Sequence, residues 1–158
     1  MDNNNIFLAV KAAIVGIFGA FGAAFGWLGW LVLAWIGCMV VDYISGSSAA
    51  MKAGQWSSAQ ARAGIWHKAG MIVVVIVAAL ADAVLGMVAA EVPGLPIDYT
   101  VLLLPMVLVW YILTELGSIL ENAAAMGAPV PEFLIRILAS ARDTVEEAAG
   151  GTGEETAE

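Results

Sequence analysis

Residues 69–122 read AGMIVVVIVAALADAVLGMVAAEVPGLPIDYTVLLLPMVLVWYILTELGSILEN, two long apolar runs joined by a short acidic loop. The first run carries Asp82 and the second carries Glu115, although membrane spans normally avoid a charged residue at such depth. Upstream, residues 12–41 form a third apolar run without any charged residue. Since about 20 apolar residues suffice to cross a bilayer as a helix, these runs predict an all-α integral membrane protein.

The composition agrees with a membrane protein. Of the 158 residues, 61% are hydrophobic and 13% are charged, whereas soluble domains are about 45–50% apolar and about 25% charged. The six lysines and arginines are scattered, so we expect no nucleic-acid partner. The sequence shows no nucleophile–histidine set, phosphate-binding glycine loop or ligand cluster at metal spacing, so we expect neither enzyme activity nor a cofactor or metal.

Three or four transmembrane helices are expected within residues 1–128. As one helix, residues 12–41 would be about 45 Å long, more than a hydrocarbon core of about 30 Å. Because glycines are dense there, we expect a break between Gly26 and Gly29, with a short or re-entrant span before it. Pro105 is expected to kink the last span unless neighbouring groups satisfy the carbonyl that it leaves free. The expected spans cover residues 6–25, 28–44, 69–90 and 99–120.

The charges orient the expected spans. The connection 45–68 holds three basic residues and no acid, so it should stay cytoplasmic, whereas the acidic loop 91–98 should lie outside. Residues 129–147 predict a cytoplasmic amphipathic helix on the membrane or against a partner, because their apolar residues share one face. The acidic residues 148–158 predict a disordered tail. The C-terminus is then cytoplasmic, and the N-terminus is inside only if residues 6–44 cross twice.

Several polar residues in or beside the apolar runs predict helix contacts or a water-lined surface. A charge at the depth of Asp82 costs about 2.5–3.5 kcal/mol, unless the residue is protonated or lies nearer the interface. Glu115, Ser118 and Asn122 share one helical face, and such polar faces favour helix association. For Glu121 and Asn122 the alternative is a helix end that emerges into water. The candidates for oligomerisation or pore lining are Asp42, Asp82, Glu115, Ser118, Glu121 and Asn122.

Small residues in the first apolar run predict close helix packing. Gly16 belongs to a series of small residues at four-residue intervals, and Gly22 and Gly26 beside it have the same spacing. Such spacing lets helix backbones approach each other closely in lipid. The alternative is that glycine and alanine are simply abundant in this chain.

Three segments, taken in order, resemble a known family. They are residues 41–46 (VDYISG), Ser57 and Ser58 with Gly64 and Lys68, and residues 115–122 (ELGSILEN) followed by 127–131 (GAPVP). Together they resemble the phage holin family that includes the clostridial toxin-export holins, over about residues 25–140. The acidic C-terminus departs from the basic tail that is common in that family.

The resemblance implies a function in host cell lysis. Holins accumulate in the bacterial inner membrane and then associate into lesions that release a peptidoglycan-degrading endolysin, or a toxin. We therefore expect a homo-oligomer in the lipid bilayer that works with an endolysin without requiring direct contact. The alternatives are a small depolarising pore of the pinholin kind, a non-pore membrane anchor and an antiholin-like inhibitor.

Overall fold

A computed structural model of the chain describes residues 3–92 and 102–150. Within these ranges the chain is entirely helical apart from short turns and connections. The helices are α1 (Asn3–Lys52), α2 (Ser58–Glu91), α3 (Leu103–Ala125) and α4 (Glu132–Gly150). In the part of the chain described, α1, α2 and α3 are long and apolar enough to cross a membrane. The predicted all-α membrane architecture is therefore confirmed.

Some predicted features lie outside the residues that the structure describes. Most of the acidic loop 91–98, the first residues of the span predicted at 99–120, and positions 151–158 of the acidic tail lie outside the described residues. The amphipathic helix predicted at 129–147 corresponds to α4, which continues to Gly150.

The helix α1 changes direction at Gly26, inside the interval where the sequence predicts a break. Gly26 has φ 58° and ψ −150°, which is not helical backbone. A side chain at this φ would clash with the backbone, so glycine suits the position. The kink divides α1 into residues 3–25, called α1a, and residues 27–52, called α1b.

The segment α1b continues beyond the end predicted at residue 44, through a stretch rich in serine and glycine. Within that stretch, the Ser45 hydroxyl donates to the Asp42 carbonyl at 3.1 Å and the Ser48 hydroxyl donates to the Ile44 carbonyl at 2.7 Å. These bonds are compatible with a helix, since serine can return its hydroxyl to the preceding turn. The polar stretch therefore lengthens the helix instead of ending it.

The helices α2 and α3 begin at well-defined positions. Ser57 precedes α2 and its hydroxyl accepts the backbone N–H of Gln60 at 3.1 Å, which satisfies one N–H of the first turn.

The helix α3 begins at Leu103, so Pro105 lies in its first turn. Because the first-turn N–H groups have no partner within the helix, proline breaks no helical hydrogen bond there. The expected kink therefore does not arise.

The helix α3 lies at the centre of the bundle and packs against α1b, α2 and α4. A small apolar core joins α1b, α2 and α3, and Leu108 is its fully buried member. The buried core residues are Trp35, Met39, Met71, Val75 and Leu108. Most other large apolar side chains of α1 and α2 are exposed. A small core beneath a wide apolar surface is what lipid, as the surrounding medium, permits.

Candidate functional site

Polar residues that the sequence places in separate apolar runs meet between α1b, α2 and α3. Lys68 of α2 donates from its Nζ to Oδ2 of Asp42 in α1b at 2.9 Å and to Oε2 of Glu115 in α3 at 2.6 Å. One ammonium group therefore joins two carboxylates from two other helices. This polar cluster is defined by Asp42, Ser45, Lys68, Glu115, Ser118 and Asn122.

Asn122, about two helical turns beyond Glu115, extends the cluster. Its Nδ2 donates to Oδ1 of Asp42 at 3.0 Å and to Oγ of Ser45 at 3.1 Å. Ser118 interacts with the same Asp42 carboxylate. Gly46 lies beside the amide, and a Cβ at this position would come within 3.4 Å of the Asn122 Nδ2. The glycine therefore lets Asn122 lie close to the α1b backbone.

The cluster is largely withdrawn from the surroundings of the bundle. The side chains of Lys68, Asp42 and Glu115 are 15%, 17% and 5% exposed, respectively. Charges buried to this degree lose hydration, and only good geometry with further hydrogen bonds offsets that loss. Here the two carboxylates share Lys68, and Asp42 also accepts from Asn122. The cluster thereby links α1b, α2 and α3 through hydrogen bonds between their side chains.

A cleft of about 450 Å³ opens beside the cluster, between α1b and α2. Asp42, Lys68 and Asn122 of the cluster line it, together with residues that include Trp56 and His67. The cleft gives the cluster one side that a small polar molecule such as water can reach. Among the residues described, no group of acidic, histidine and cysteine side chains is arranged to hold a metal ion.

Asp82 lies apart from this cluster, at the other end of α3. Its carboxylate accepts the backbone N–H groups of Leu102, Leu103 and Leu104 at 3.4, 3.0 and 2.8 Å. These N–H groups open α3, where they have no helical partner and carry the positive end of the helix dipole. Asp82 is 5% exposed. A carboxylate from α2 therefore caps the amino end of α3.

The carboxyl end of α3 is capped from α1b. The Lys52 ammonium donates to the carbonyl of Met126, directly after the helix. Gly127 follows with φ 91° and turns the chain away. An anion at the amino end and a cation at the carboxyl end both suit the dipole of a helix. The central helix is thus fixed at both ends by charges from its two neighbours.

The polar residues predicted to take part in oligomerisation or pore lining lie in three different environments. Asp42, Glu115, Ser118 and Asn122 belong to the polar cluster, and Asp82 is the cap of α3. Glu121 is exposed beside the space between α3 and α4. Their contribution to oligomerisation or to a pore stays a prediction, because every contact seen here lies within one chain.

The predicted packing glycines also differ from one another. Gly22 lies against Trp30 of α1b, since a Cβ there would come within 2.9 Å of the indole Nε1. Gly26 forms the kink. Around Gly16, no described atom lies within 4 Å of the position that a Cβ would take. Packing of Gly16 against another chain stays a prediction.

Sequence reasoning missed the two lysines that organise the site. Lys68 entered only as a basic residue of the 45–68 connection and through the family resemblance, and Lys52 entered only as a loop charge. The available signal was a single lysine at the foot of an apolar run that carries no other cation. Such a lysine could lie at the membrane–water interface or pair with a buried carboxylate. Its role could therefore be assigned only once the positions of the other helices were known.

The bundle, its lipid-compatible surface and its internal polar contacts define a small multi-span membrane protein. The chain belongs to the bacteriophage holin family, which matches residues 19–143. An uncharacterised protein of Halalkalibacterium halodurans is 38% identical over 96 residues, which are 61% of this chain and 66% of that protein. The chain thus covers just under two thirds of that relative. No solved structure is significantly similar to the chain.

The family match confirms the resemblance to phage holins and includes the entire polar cluster. The holins are membrane proteins, and no catalytic role defines the family. The match does not single out the toxin-export holins within it.

Proposed function

We propose that this protein is a lysis holin of the bacterial inner membrane. It accumulates there as a multi-pass protein, associates into lesions and lets a peptidoglycan-degrading endolysin, or a toxin, cross the membrane. The observation that supports this best is the polar cluster, because Asp42, Lys68 and Glu115 are hydrogen-bonded to one another within one chain. A chain that pairs these groups internally can disperse in lipid until its concentration is high enough for association.

Lateral association then follows from the surface that the chain exposes. Most large apolar side chains of α1a are exposed, as are Val73, Val77 and Leu80 of α2. Without a hydrophobic driving force between helices in lipid, each contact is weak, and polar contacts contribute about 0.6–2 kcal/mol each. Many contacts must form together before an oligomer is stable. Accumulation should therefore proceed without damage until a threshold, and lesions should then form abruptly.

The charges support one orientation in this membrane. Lys52, Arg62 and Lys68 lie in or next to the connection between α1 and α2. Basic residues in short connections stay on the cytoplasmic side. Under this proposal, in a chain dispersed in lipid, the end of α3, the beginning of α4 and the C-terminus are on the cytoplasmic side. In this proposal the protein needs no catalysis and no cofactor, since the endolysin cleaves the wall and requires no direct contact with the holin.

A small depolarising pore is the second candidate. It is favoured by the engagement of Asp42, Asp82 and Glu115 in contacts within the chain. Helices whose carboxylates are used internally offer little polar surface to a wide opening. A narrow pore would pass ions and collapse the membrane potential without passing a folded enzyme.

Inducible expression in a bacterial host, with and without an endolysin that lacks an export signal, tests the proposal. Optical density and membrane potential are followed together. Sudden lysis that requires the endolysin is the expected result for a holin that passes protein. Depolarisation without endolysin release would identify the small pore. Full viability at high membrane accumulation would contradict both and favour a membrane anchor or an antiholin.

A further inference from the structure

The helix α4 runs antiparallel to α3 over nearly its whole length. Near its start, Ile135 and Leu138 face the last turns of α3. Near its end, Ala149 lies with Met106 and Val107, which belong to the first turns of α3. From their residue numbers, α4 is about 28 Å long and α3 about 34 Å. Beside a transmembrane α3, α4 would therefore reach across most of the bilayer.

A direct polar contact fixes this position. The indole Nε1 of Trp110 in α3 donates to Oε1 of Glu146 in α4 at 2.7 Å. Leu138, Ala141 and Val145 of α4 are half-buried, in agreement with contact along one side of the helix. The docking of α4 thus combines apolar packing with a hydrogen bond to Trp110, which lies near the middle of α3.

The remaining surface of α4 has two different flanks. One flank is polar, with side chains that recur every three or four residues and are all exposed: Glu132, Arg136, Ser140, Asp143 and Glu147. The other flank is apolar, and Phe133 and Ile137 on it are 54% and 58% exposed. A helix with one side on its own chain, one polar flank and one apolar flank fits a boundary between water and lipid.

Lipid alone cannot surround α4 in this position. Charged side chains at bilayer depth are strongly unfavourable unless they face a water-filled space or a partner. The pairs Glu132–Arg136 at 3.5 Å and Arg142–Glu146 at 3.9 Å are exposed, so they offset little of that cost. Water on the polar flank removes the cost, and an assembled lesion supplies that water.

We propose that α4, docked along α3, forms the water-facing wall of the lesion. Glu132, Arg136, Asp143 and Glu147 face the water, while Phe133 and Ile137 face lipid or the next protomer. This inference rests on the proposed lesion-forming function and assigns its polar lining to α4. It also couples docking to assembly, because a single chain surrounded by lipid has no water for the polar flank. Docking would then move the end of α4 from the cytoplasmic side towards the other side of the membrane, since Ala149 lies beside Met106 and Val107 at the start of α3.

Depth measurements along α4 test the inference in the full-length protein, with Cys38→Ala as the background. The variants Ile137→Cys and Thr144→Cys carry an environment-sensitive fluorophore in vesicles of phosphatidylethanolamine and phosphatidylglycerol that contain a trapped dye. Both positions are exposed on the side away from α3. In docked α4 the two labels lie about 10 Å apart along the helix axis, on either side of the middle of α3, so both are deep, whereas on the membrane surface both labels are equally shallow. Quenchers attached at different positions along the lipid report the depth.

A label at Asp143→Cys reports the water on the polar flank. We expect aqueous iodide to quench this label in vesicles that release dye, although lipid-attached quenchers place it deep. Val77→Cys is the control, since Val77 is 58% exposed on α2, and its label should be reached from lipid only. Equal shallow depths at 137 and 144, or a deep label at 143 that iodide does not reach, would overturn the inference while dye release persists. If the unlabelled Cys38→Ala protein released no dye, the proposed lesion-forming function would be refuted, and the role of α4 as the wall of the lesion would fail with it.

Discussion

At the scale of single residues, Lys68 is the centre of the polar cluster, because it is the cation that Asp42 and Glu115 share. Replacing it by methionine keeps much of the side-chain volume but leaves two partly buried carboxylates without their cation. Removing one partner from a buried ion pair costs about 3–5 kcal/mol. We expect Lys68→Met to lower the free energy of unfolding in detergent micelles by this order, measured by loss of helical circular dichroism.

The matched control for Lys68 is Lys11→Met, a change of the same type at an exposed residue of α1a. It should leave the unfolding transition unchanged. Restoring charge balance should recover stability, so we expect the triple variant Lys68→Met, Asp42→Asn, Glu115→Gln to be more stable than Lys68→Met alone. Equal stability of Lys68→Met and Lys11→Met would show that the cluster does not hold the helices together.

Asp82 gives a second residue-scale prediction, because its carboxylate satisfies the N–H groups of Leu103 and Leu104. The loss of a helix cap costs about 0.5–2 kcal/mol. In Asp82→Ala we expect faster hydrogen exchange at these two amides, observed by mass spectrometry of the protein in micelles. Glu91→Ala, which removes an exposed acid from the same helix, is the control. Unchanged exchange in Asp82→Ala would mean that the cap is not needed to order α3.

The sequence identified the unusual residues of the site but not their partners. Asp82 and Glu115 were recognisable because a carboxylate is costly within an apolar run. The shared helical face of Glu115, Ser118 and Asn122 followed from their spacing. That Lys68 would join Glu115 to Asp42, or that Asp82 would cap α3, depends on how three helices are rotated and offset. Periodicity within one helix carries no information about that arrangement.

At the scale of helices, the kink in α1 was predictable because its cause is local. An apolar run longer than the bilayer, dense in glycine, indicated a break close to Gly26. The extension of α1b to Lys52 was not predictable from composition, since serine and glycine normally favour turns. Serine hydroxyls bonded to the preceding turn and Lys52 bonded to Met126 stabilise this end of the helix. Only the second contact is tertiary, and the sequence did not show it.

The kink itself can be tested by Gly26→Ala. Alanine disfavours a positive φ, and holding a residue in such backbone costs about 1–3 kcal/mol. We expect α1 to straighten and the distance between spin labels at Ile14 and Val40 to increase, measured by pulsed electron resonance in vesicles. Gly37→Ala is the control, because no described atom lies within 4 Å of a Cβ at that position. A distance that is unchanged in Gly26→Ala would show that contacts such as Trp30 on Gly22 determine the bend instead.

At the scale of the whole molecule, the helices that pack around α3 form a bundle with many internal contacts, whereas α1a has few. The polar cluster, both caps and the apolar core all involve α3 and lie between residues 35 and 126. By contrast, most side chains of α1a are exposed, and Phe18 stacks on Trp30 of α1b with ring centroids 6.4 Å apart. The apolar residues of α1a are therefore available to other copies of the chain without loss of the bundle.

Association between copies is best tested at Gly16 of α1a, where no described atom lies within 4 Å of the position that a Cβ would take. Gly16→Leu should leave the folding of a single chain unaffected, because the position has open space. Where two helices approach closely through small residues, leucine forces them apart. A loss of about 1 kcal/mol at one contact corresponds to about five-fold weaker association, and an oligomer repeats that loss in each protomer. We therefore expect smaller oligomers on chemical cross-linking in membranes and delayed lysis at equal expression.

Gly86→Leu is the matched control for this prediction. Gly86 lies in α2, and no described atom comes within 4 Å of its Cβ position either. Asp82 interrupts the small residues at four-residue intervals around Gly86, whereas the series around Gly16 is uninterrupted from Ala12 to Ala24. If association depends on close packing of α1a, only Gly16→Leu should change oligomer size and lysis time. If both variants behave like the original chain, α1a does not form the interface, and association must use the exposed faces of α2 or α4.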